Sequence, residues 1–281
     1  MTSVSRRTFL TAAAASVTVP GVLAACTGTT GDKVELIRFN QDGYMIPGKQ
    51  RLPIGLADAK GAVITTGPEK LTGRVLGPDG KVLSANLTAT RRSAGLPRPF
   101  WLFEMGVDQP GQYQLEVQTS GGTKALAFSV TDPKLVNTPK PGDSLLFIDT
   151  PTSTNPRGVN PICTRNPFCP FHSVSLKDAK ALGKPMVFII STPAYCQFAV
   201  CGPVLDFVIA EEKRLSGKLT VVHSEVYTDD TKDNLTAAVE AYNVSFEPVL
   251  YLADRTGKVV DRWDVLFDQV ELGKALDLLT A

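Results

Sequence analysis

Cys196 and Cys201 are the residues whose type and spacing most directly imply chemistry. They lie in Met186-Val-Phe-Ile-Ile-Ser-Thr-Pro-Ala-Tyr-Cys196-Gln-Phe-Ala-Val-Cys201-Gly-Pro203-Val-Leu-Asp206. A continuous apolar run before the pair reads as a buried strand, and the residues after it read as a helix. The thiols therefore fall at a helix start, where the macrodipole favours thiolate over thiol. In a regular helix, Cα atoms five residues apart are separated by about 8.6 Å, whereas a disulfide needs less than roughly 7 Å. A Cys196–Cys201 bond thus requires Cys196 to sit in the loop before the helix, with residues 197–200 at least partly irregular. Pro203 suits a first helical turn and disfavours helical geometry at Gly202. Three uses of the pair stay open: a redox couple with Cys196 attacking and Cys201 resolving, a structural staple, and a metal site involving His172.

A second pair lies in Asn160-Pro-Ile-Cys163-Thr-Arg-Asn-Pro-Phe-Cys169-Pro-Phe-His172. This segment has little periodicity and three prolines. It is read as a loop pinned by a local Cys163–Cys169 disulfide. The alternatives are a relay of electrons to Cys196 and a four-cysteine zinc site, whose spacing here is looser than usual. No metal is assigned. Of the two histidines, His223 reads as a satisfied buried residue in a strand with Glu225 and Tyr227 on its face. His172 reads as a surface residue, or else as a proton donor near the thiols.

The N-terminus reads as an address. Ser5-Arg6-Arg7-Thr8-Phe9-Leu10 matches a twin-arginine export consensus, and the apolar stretch after it is too short to span a bilayer. Leu23-Ala24-Ala25-Cys26 resembles a bacterial lipobox, which implies lipidation at Cys26 and anchoring to the outer face of the cytoplasmic membrane. The expected division is signal 1–25, tether 26–33, sandwich 34–132, linker and first strand 133–160, and a final domain 161–281. Loss of residues 1–25, with Arg6 and Arg7, lowers the net charge from +1 to −1. That leaves no basic field for nucleic acid. Phosphate-binding glycine loops are absent, so no nucleotide or other cofactor is expected.

Residues 34–130 carry short alternating runs around Val34–Phe39, Arg51–Leu56, Leu71–Leu76, Phe100–Met105, Tyr113–Val117 and Ala125–Val130. Turn signals at Asp42-Gly43, Asp79-Gly80, Pro110-Gly111 and Gly121-Gly122 separate them. This is the pattern of an antiparallel sandwich, and Gly111-Gln-Tyr113 resembles immunoglobulin-like modules of bacterial envelope proteins. Trp101 is expected to be partly exposed, as an ordinary surface aromatic or as a partner-binding anchor. Prolines 133, 139, 141, 151 and 156 surround Ser144–Asp149, read as an edge strand.

Beyond residue 175 the pattern alternates strand and helix: a helix from Leu176, strand 186–191, helix 204–215, strand 219–227, helix 235–242, a hairpin around Asp254-Arg-Thr-Gly257, and helix 269–279. The run from Met186 to Asp206, with Phe246-Glu247-Pro248-Val-Leu-Tyr-Leu and Gly257-Lys-Val-Val, resembles the thioredoxin superfamily over roughly the last hundred residues. The resemblance implies a two-domain molecule, an all-β immunoglobulin-like sandwich followed by an α/β thioredoxin-like fold. It also implies that Pro248 is a cis-proline facing the thiols and holding a substrate strand. Two departures stand out: the cysteines are C-x4-C, and strand 186–190 lacks the family's buried Asp. The activity expected is thiol-disulfide exchange with envelope proteins through Cys196, Cys201 and Pro248. The alternatives are a non-catalytic adaptor with structural disulfides and, more remotely, a copper-handling protein.

Overall fold

In the chain's first half, alternation of apolar and polar residues builds one antiparallel sheet. A computed structural model describes residues 34–41 and 43–281; Arg6, Arg7 and Cys26 lie outside the described residues. The strands are β1 (Glu35–Arg38), β2 (Gly48–Ala57), β3 (Lys70–Leu76), β4 (Val82–Arg92), β5 (Phe100–Val107), β6 (Gly111–Thr119) and β7 (Gly122–Val130). Their order is β1-β2-β5-β4-β3-β6-β7. The ends curl toward each other, with Lys124 of β7 paired to Glu35 of β1 at 2.8 Å. The result is a barrel-like β sandwich. Leu52, Ile54, Val75, Trp101, Phe103, Leu115 and Val117 fill its interior, each at 2% exposure or less.

β5 is buried on both faces. Trp101 and Phe103 point into the sandwich. Phe100 and Leu102, on the opposite face, pack with Val200, Val265 and Leu266 from the second half of the chain. This overturns the expectation that Trp101 is partly exposed. The indole is 0% exposed and its Nε1–H donates to the Pro68 carbonyl at 3.1 Å, because Trp101 shares with Phe103 the face of β5 that turns into the sandwich interior.

The second half holds a four-stranded sheet in the order β11-β10-β8-β9. Its strands are β8 (Met186–Ile190), β9 (Thr220–Ser224), β10 (Val249–Ala253) and β11 (Val259–Asp264). β8 and β9 run parallel, while β10 is antiparallel to both β8 and β11. β8, β9 and β10 have no exposed position, as expected of strands covered on both faces. The helices are α1 (Leu176–Ala179), α2 (Cys201–Leu215), α3 (Ala237–Ala241) and α4 (Gln269–Thr280). α1 opens on Ser175, whose Oγ accepts from the Asp178 N–H, and α4 on Asp268, whose carboxylate accepts from the Glu271 N–H. Both are N-caps that satisfy an otherwise orphaned donor.

The expected combination of immunoglobulin-like and α/β thioredoxin-like folds is corrected. The described residues are predominantly β, with eleven strands against four α-helices. Helical content falls short of the sequence pattern: α1 is a single turn that tightens into a 3-10 turn at Lys180–Leu182, and α3 holds five residues. Residues 144–149 form no strand either. That segment hangs on the hairpin by isolated bonds, Leu145 N–H to the Gly257 carbonyl and Val259 N–H to the Asp143 carbonyl, both 2.8 Å. Gly257 has φ +89°, and Phe147 lies where its Cβ would stand, so glycine is required twice over. The described residues belong to one compact unit.

Candidate functional site

α2 starts at Cys201, which leaves Cys196 in the preceding loop. The loop turns through Ala199 at φ +54°, a conformation costly for a non-glycine residue. This turn brings the Cys196 and Cys201 Cα atoms to 5.9 Å and their sulfurs into a disulfide. Val200, the residue before α2, offers no side-chain cap. Instead the Cys201 N–H donates to Cys196 Sγ at 3.3 Å, so a sulfur takes one of the helix's orphaned donors. The same donor and the helix dipole would hold a Cys196 thiolate once the bond is reduced. The two cysteines differ in burial: Cys201 is fully buried, whereas Cys196 is half-buried.

The loop's surroundings come from both halves of the chain. Cys196 packs on the cluster formed by Phe39, Phe100, Leu102, Val200, Val265 and Leu266. The sandwich is therefore one wall of the site. Phe246 packs on the same cluster and leads into Glu247-Pro248, a cis peptide bond at the start of β10. Pro248 is buried, and its carbonyl accepts from the Val265 N–H at 2.8 Å. Phe198, at the tip of the loop, is 52% exposed.

Glu247 supplies a titratable group that sequence reasoning did not single out. The Thr192 N–H, at the root of the cysteine loop, donates to its Oε2. Burial nevertheless dominates and pushes its carboxyl up to about 7. The folded state thus holds this proton between the ordinary Glu range and neutrality, while the unfolded chain releases it. Its contribution is full below about pH 4.5 and is lost as pH rises toward 7, roughly 3 kcal/mol in all. Glu247→Gln is expected to remove that fall: urea midpoints of wild type and variant should diverge between pH 4.5 and 7.5. Parallel profiles would show that Glu247 ionises normally.

The second cysteine pair departs from expectation. Cys163 and Cys169 are free thiols, both buried, so the expected local disulfide is not formed. His172, expected at the surface, is 1% exposed. Its ring meets that of His223 edge-on, with centroids 5.1 Å apart. Cys163, Cys169, His172 and His223 offer one donor atom each, and these atoms lie within 4.8 Å of one another. The reason is topological: the His223 N–H donates to the Phe171 carbonyl, docking the irregular 161–172 segment along β9. Cys169 donates toward Cys163 and the two imidazoles add further hydrogen bonds, which holds the Cys163 thiol low and the Cys169 thiol high.

This cluster adjoins the disulfide loop through Thr164. Its N–H donates to Glu225 Oε1 at 2.6 Å, and its Oγ1 accepts from the Ala194 N–H at 3.1 Å, two residues before Cys196. Arg165 reaches Asp206 on α2 at 2.6 Å. A sequence signal for the cluster was present in Cys163-x5-Cys169-x2-His172. Reading the cysteines as a self-contained disulfide left His172 near the thiols only as a proton donor, and nothing in the sequence placed His223 beside them.

Neither a family-level comparison nor a search of curated proteins yields a match. Among solved structures, Salmonella alpha-2-macroglobulin mutant Y1175G is 20% identical over 45% of this chain, with a TM-score of 0.28; the match covers 8% of that protein's length. A conjugative transposon lipoprotein from Bacteroides eggerthii is 11% identical over 35% of this chain and 97% of its own, with a TM-score of 0.22. The PKD domain of human SorCS2 is 12% identical over 43% of this chain and 97% of its own, also at 0.22. These neighbours are immunoglobulin-like, macroglobulin and PKD domains, with no thioredoxin-like neighbour among them. The thioredoxin-superfamily expectation is corrected with the fold, since the described residues are predominantly β, and the site's chemistry rests on its own residues. No helix among the described residues is long and apolar enough to cross a membrane.

Proposed function

We propose that the chain is an exported, lipid-anchored protein that exchanges disulfides with envelope proteins through Cys196 and Cys201. The reading is carried by one observation: a bonded pair at the start of a 15-residue helix, with one cysteine half-buried in the preceding loop and its partner fully buried in the helix. In the reduced state, the Cys196 thiolate attacks a substrate disulfide, breaking that S–S bond and forming a mixed disulfide while one substrate thiolate leaves. Cys201, as thiolate, then attacks the Cys196 sulfur. The Cys196–Cys201 bond forms, the second substrate thiolate departs, and two electrons have passed to the substrate. The reverse sequence oxidises a substrate dithiol. The twin-arginine motif at Arg6 and Arg7 and the lipobox at Cys26 support placement outside the reducing cytoplasm.

Cys201→Ser removes the resolving thiol, so the variant is expected to accumulate mixed disulfides on Cys196 that a reductant releases. Cys196→Ser/Cys201→Ser should accumulate none. Non-reducing gels of exported protein, with mass spectrometry of the adducts, read both. The proposal fails if Cys201→Ser captures nothing. It also fails if the wild-type bond is reduced only below about −300 mV, the range of structural disulfides.

A further inference from the structure

We infer that Cys163, Cys169, His172 and His223 form a closed zinc site, separate from the exchanging disulfide. The donor spacings fit a tetrahedron around a central ion. Zinc at about 2.3 Å from sulfur and about 2.0–2.1 Å from nitrogen implies edges of about 3.3 Å between nitrogens and about 3.6 Å between nitrogen and sulfur. His223 Nδ1 lies 3.2 Å from His172 Nε2 and 3.4 Å from Cys169 Sγ, and every donor pair falls within 4.8 Å.

The surroundings orient the donors. His223 Nε2 lies 2.8 Å from the Ser191 carbonyl. An acceptor there requires Nε2–H, which leaves Nδ1 with its lone pair aimed into the cluster, the arrangement that fixes metal-binding imidazoles. His172 presents Nε2 to the same point. Its Nδ1 is buried beside the Pro151 carbonyl without a hydrogen bond of good geometry, so this ring is held by packing against Phe168 and His223.

The donor set selects the ion. Two sulfurs and two imidazole nitrogens with no oxygen donor exclude magnesium and calcium, which take oxygen ligands, and suit zinc. Charge decides between zinc and copper(I). Two thiolates with Zn2+ and two neutral imidazoles sum to zero, whereas Cu+ would leave a negative charge in a site whose four ligands are each no more than 6% exposed. Glu225 Oε1, 4.0 Å from His223 Nε2, would make that excess worse. All four positions being protein ligands, the site has no open coordination for catalysis; its role is to lock segment 161–172 against β9. Thr164 and Arg165, which tether the disulfide loop and α2, lie within that segment.

The test is metal uptake by the full chain, reduced and then freed of reductant. One equivalent of Zn2+ is expected to bind and to protect two thiols from alkylation. Co2+ in its place should give intense tetrahedral d–d bands with thiolate-to-cobalt charge transfer. Cys196→Ser/Cys201→Ser should keep that spectrum. Cys169→Ser should abolish the charge-transfer band or shift it, and His223→Ala should weaken binding at least tenfold. Absence of the spectrum from the reduced wild-type chain overturns the proposal without reference to any variant. A spectrum lost in Cys196→Ser/Cys201→Ser but intact in Cys169→Ser overturns it equally, since the metal would then sit on the other pair.

Discussion

Trp101→Ala is expected to lower stability by about 3–5 kcal/mol, the range for emptying a large aromatic site in a packed core. The indole is 0% exposed within the sandwich. Gly67 lies so close beneath it that a Cβ there would stand 2.7 Å from the ring. Truncation also strips the Pro68 carbonyl of its only indole donor, leaving a partly buried acceptor to find water. Because β5 carries Phe100 and Leu102 on its other face, against Val200 and Leu266, the sheet cannot collapse into the cavity without pulling on the wall of the cysteine loop. For a unit of this size the loss corresponds to a Tm decrease of roughly 6–20 °C. Trp101→Phe should recover most of it. A change under about 1 kcal/mol for Trp101→Ala would mean the indole is not core, and the docking role considered from sequence would regain its footing.

That example shows why sequence reasoning placed Trp101 correctly on a strand but misjudged its burial. Alternation says which residues share a face; in a strand apolar on both faces, Phe100 and Leu102 on one and Trp101 and Phe103 on the other, it does not say which face turns inward or that both are covered. The six strands with strong apolar alternation were legible, whereas β4, Val82-Leu-Ser-Ala-Asn-Leu-Thr-Ala-Thr-Arg-Arg92, was missed. Only one of its eleven residues is buried, so its sequence carries little of the period-two signal. In the second half, β8 and α2 were clear from a five-residue apolar run and the Ser216-Gly217 stop. That Cys196 must lie in a loop if it bonds Cys201 followed from helix geometry. The clustering of Cys163, Cys169, His172 and His223 was not legible, because it depends on backbone pairing between an irregular segment and a strand some fifty residues later. Glu247 escaped for a similar reason: its unusual proton affinity comes from burial beneath the loop root, a property of packing rather than of spacing.

A bidentate polar link between the sandwich and the rest of the unit is the pairing of Arg51 on β2 with Glu271 in the first turn of α4. Arg51 Nε reaches Glu271 Oε1 at 2.5 Å and Nη2 reaches Oε2 at 2.7 Å, with Nη2 also donating to the Leu266 carbonyl at 2.8 Å. Their side chains are only 12% and 11% exposed, so neither charge keeps much hydration. Arg92 on β4 approaches both Asp268 and Glu271, and the guanidinium of Arg51 lies over Trp263 at 4.9 Å. Glu271→Gln takes from Arg51 its bidentate carboxylate and leaves Arg92 with Asp268 alone, and removal of one partner from a buried pair costs about 3–5 kcal/mol. We expect that loss in a single unfolding transition seen alike by near-ultraviolet dichroism and by hydrogen exchange in both sheets. Arg51→Met/Glu271→Leu should be much less destabilised than the sum of its single variants, because no orphaned charge remains. α4 packs on α2 through Gln269–Glu211 and Arg214–Asp277, and α2 begins at Cys201. Weakening the clamp should therefore speed reduction of the Cys196–Cys201 bond below the unfolding midpoint, measured by alkylation under a fixed dithiol. Should Glu271→Gln instead split the transition in two, with the disulfide's reactivity unchanged, the sandwich would be an independent module rather than a wall of the site.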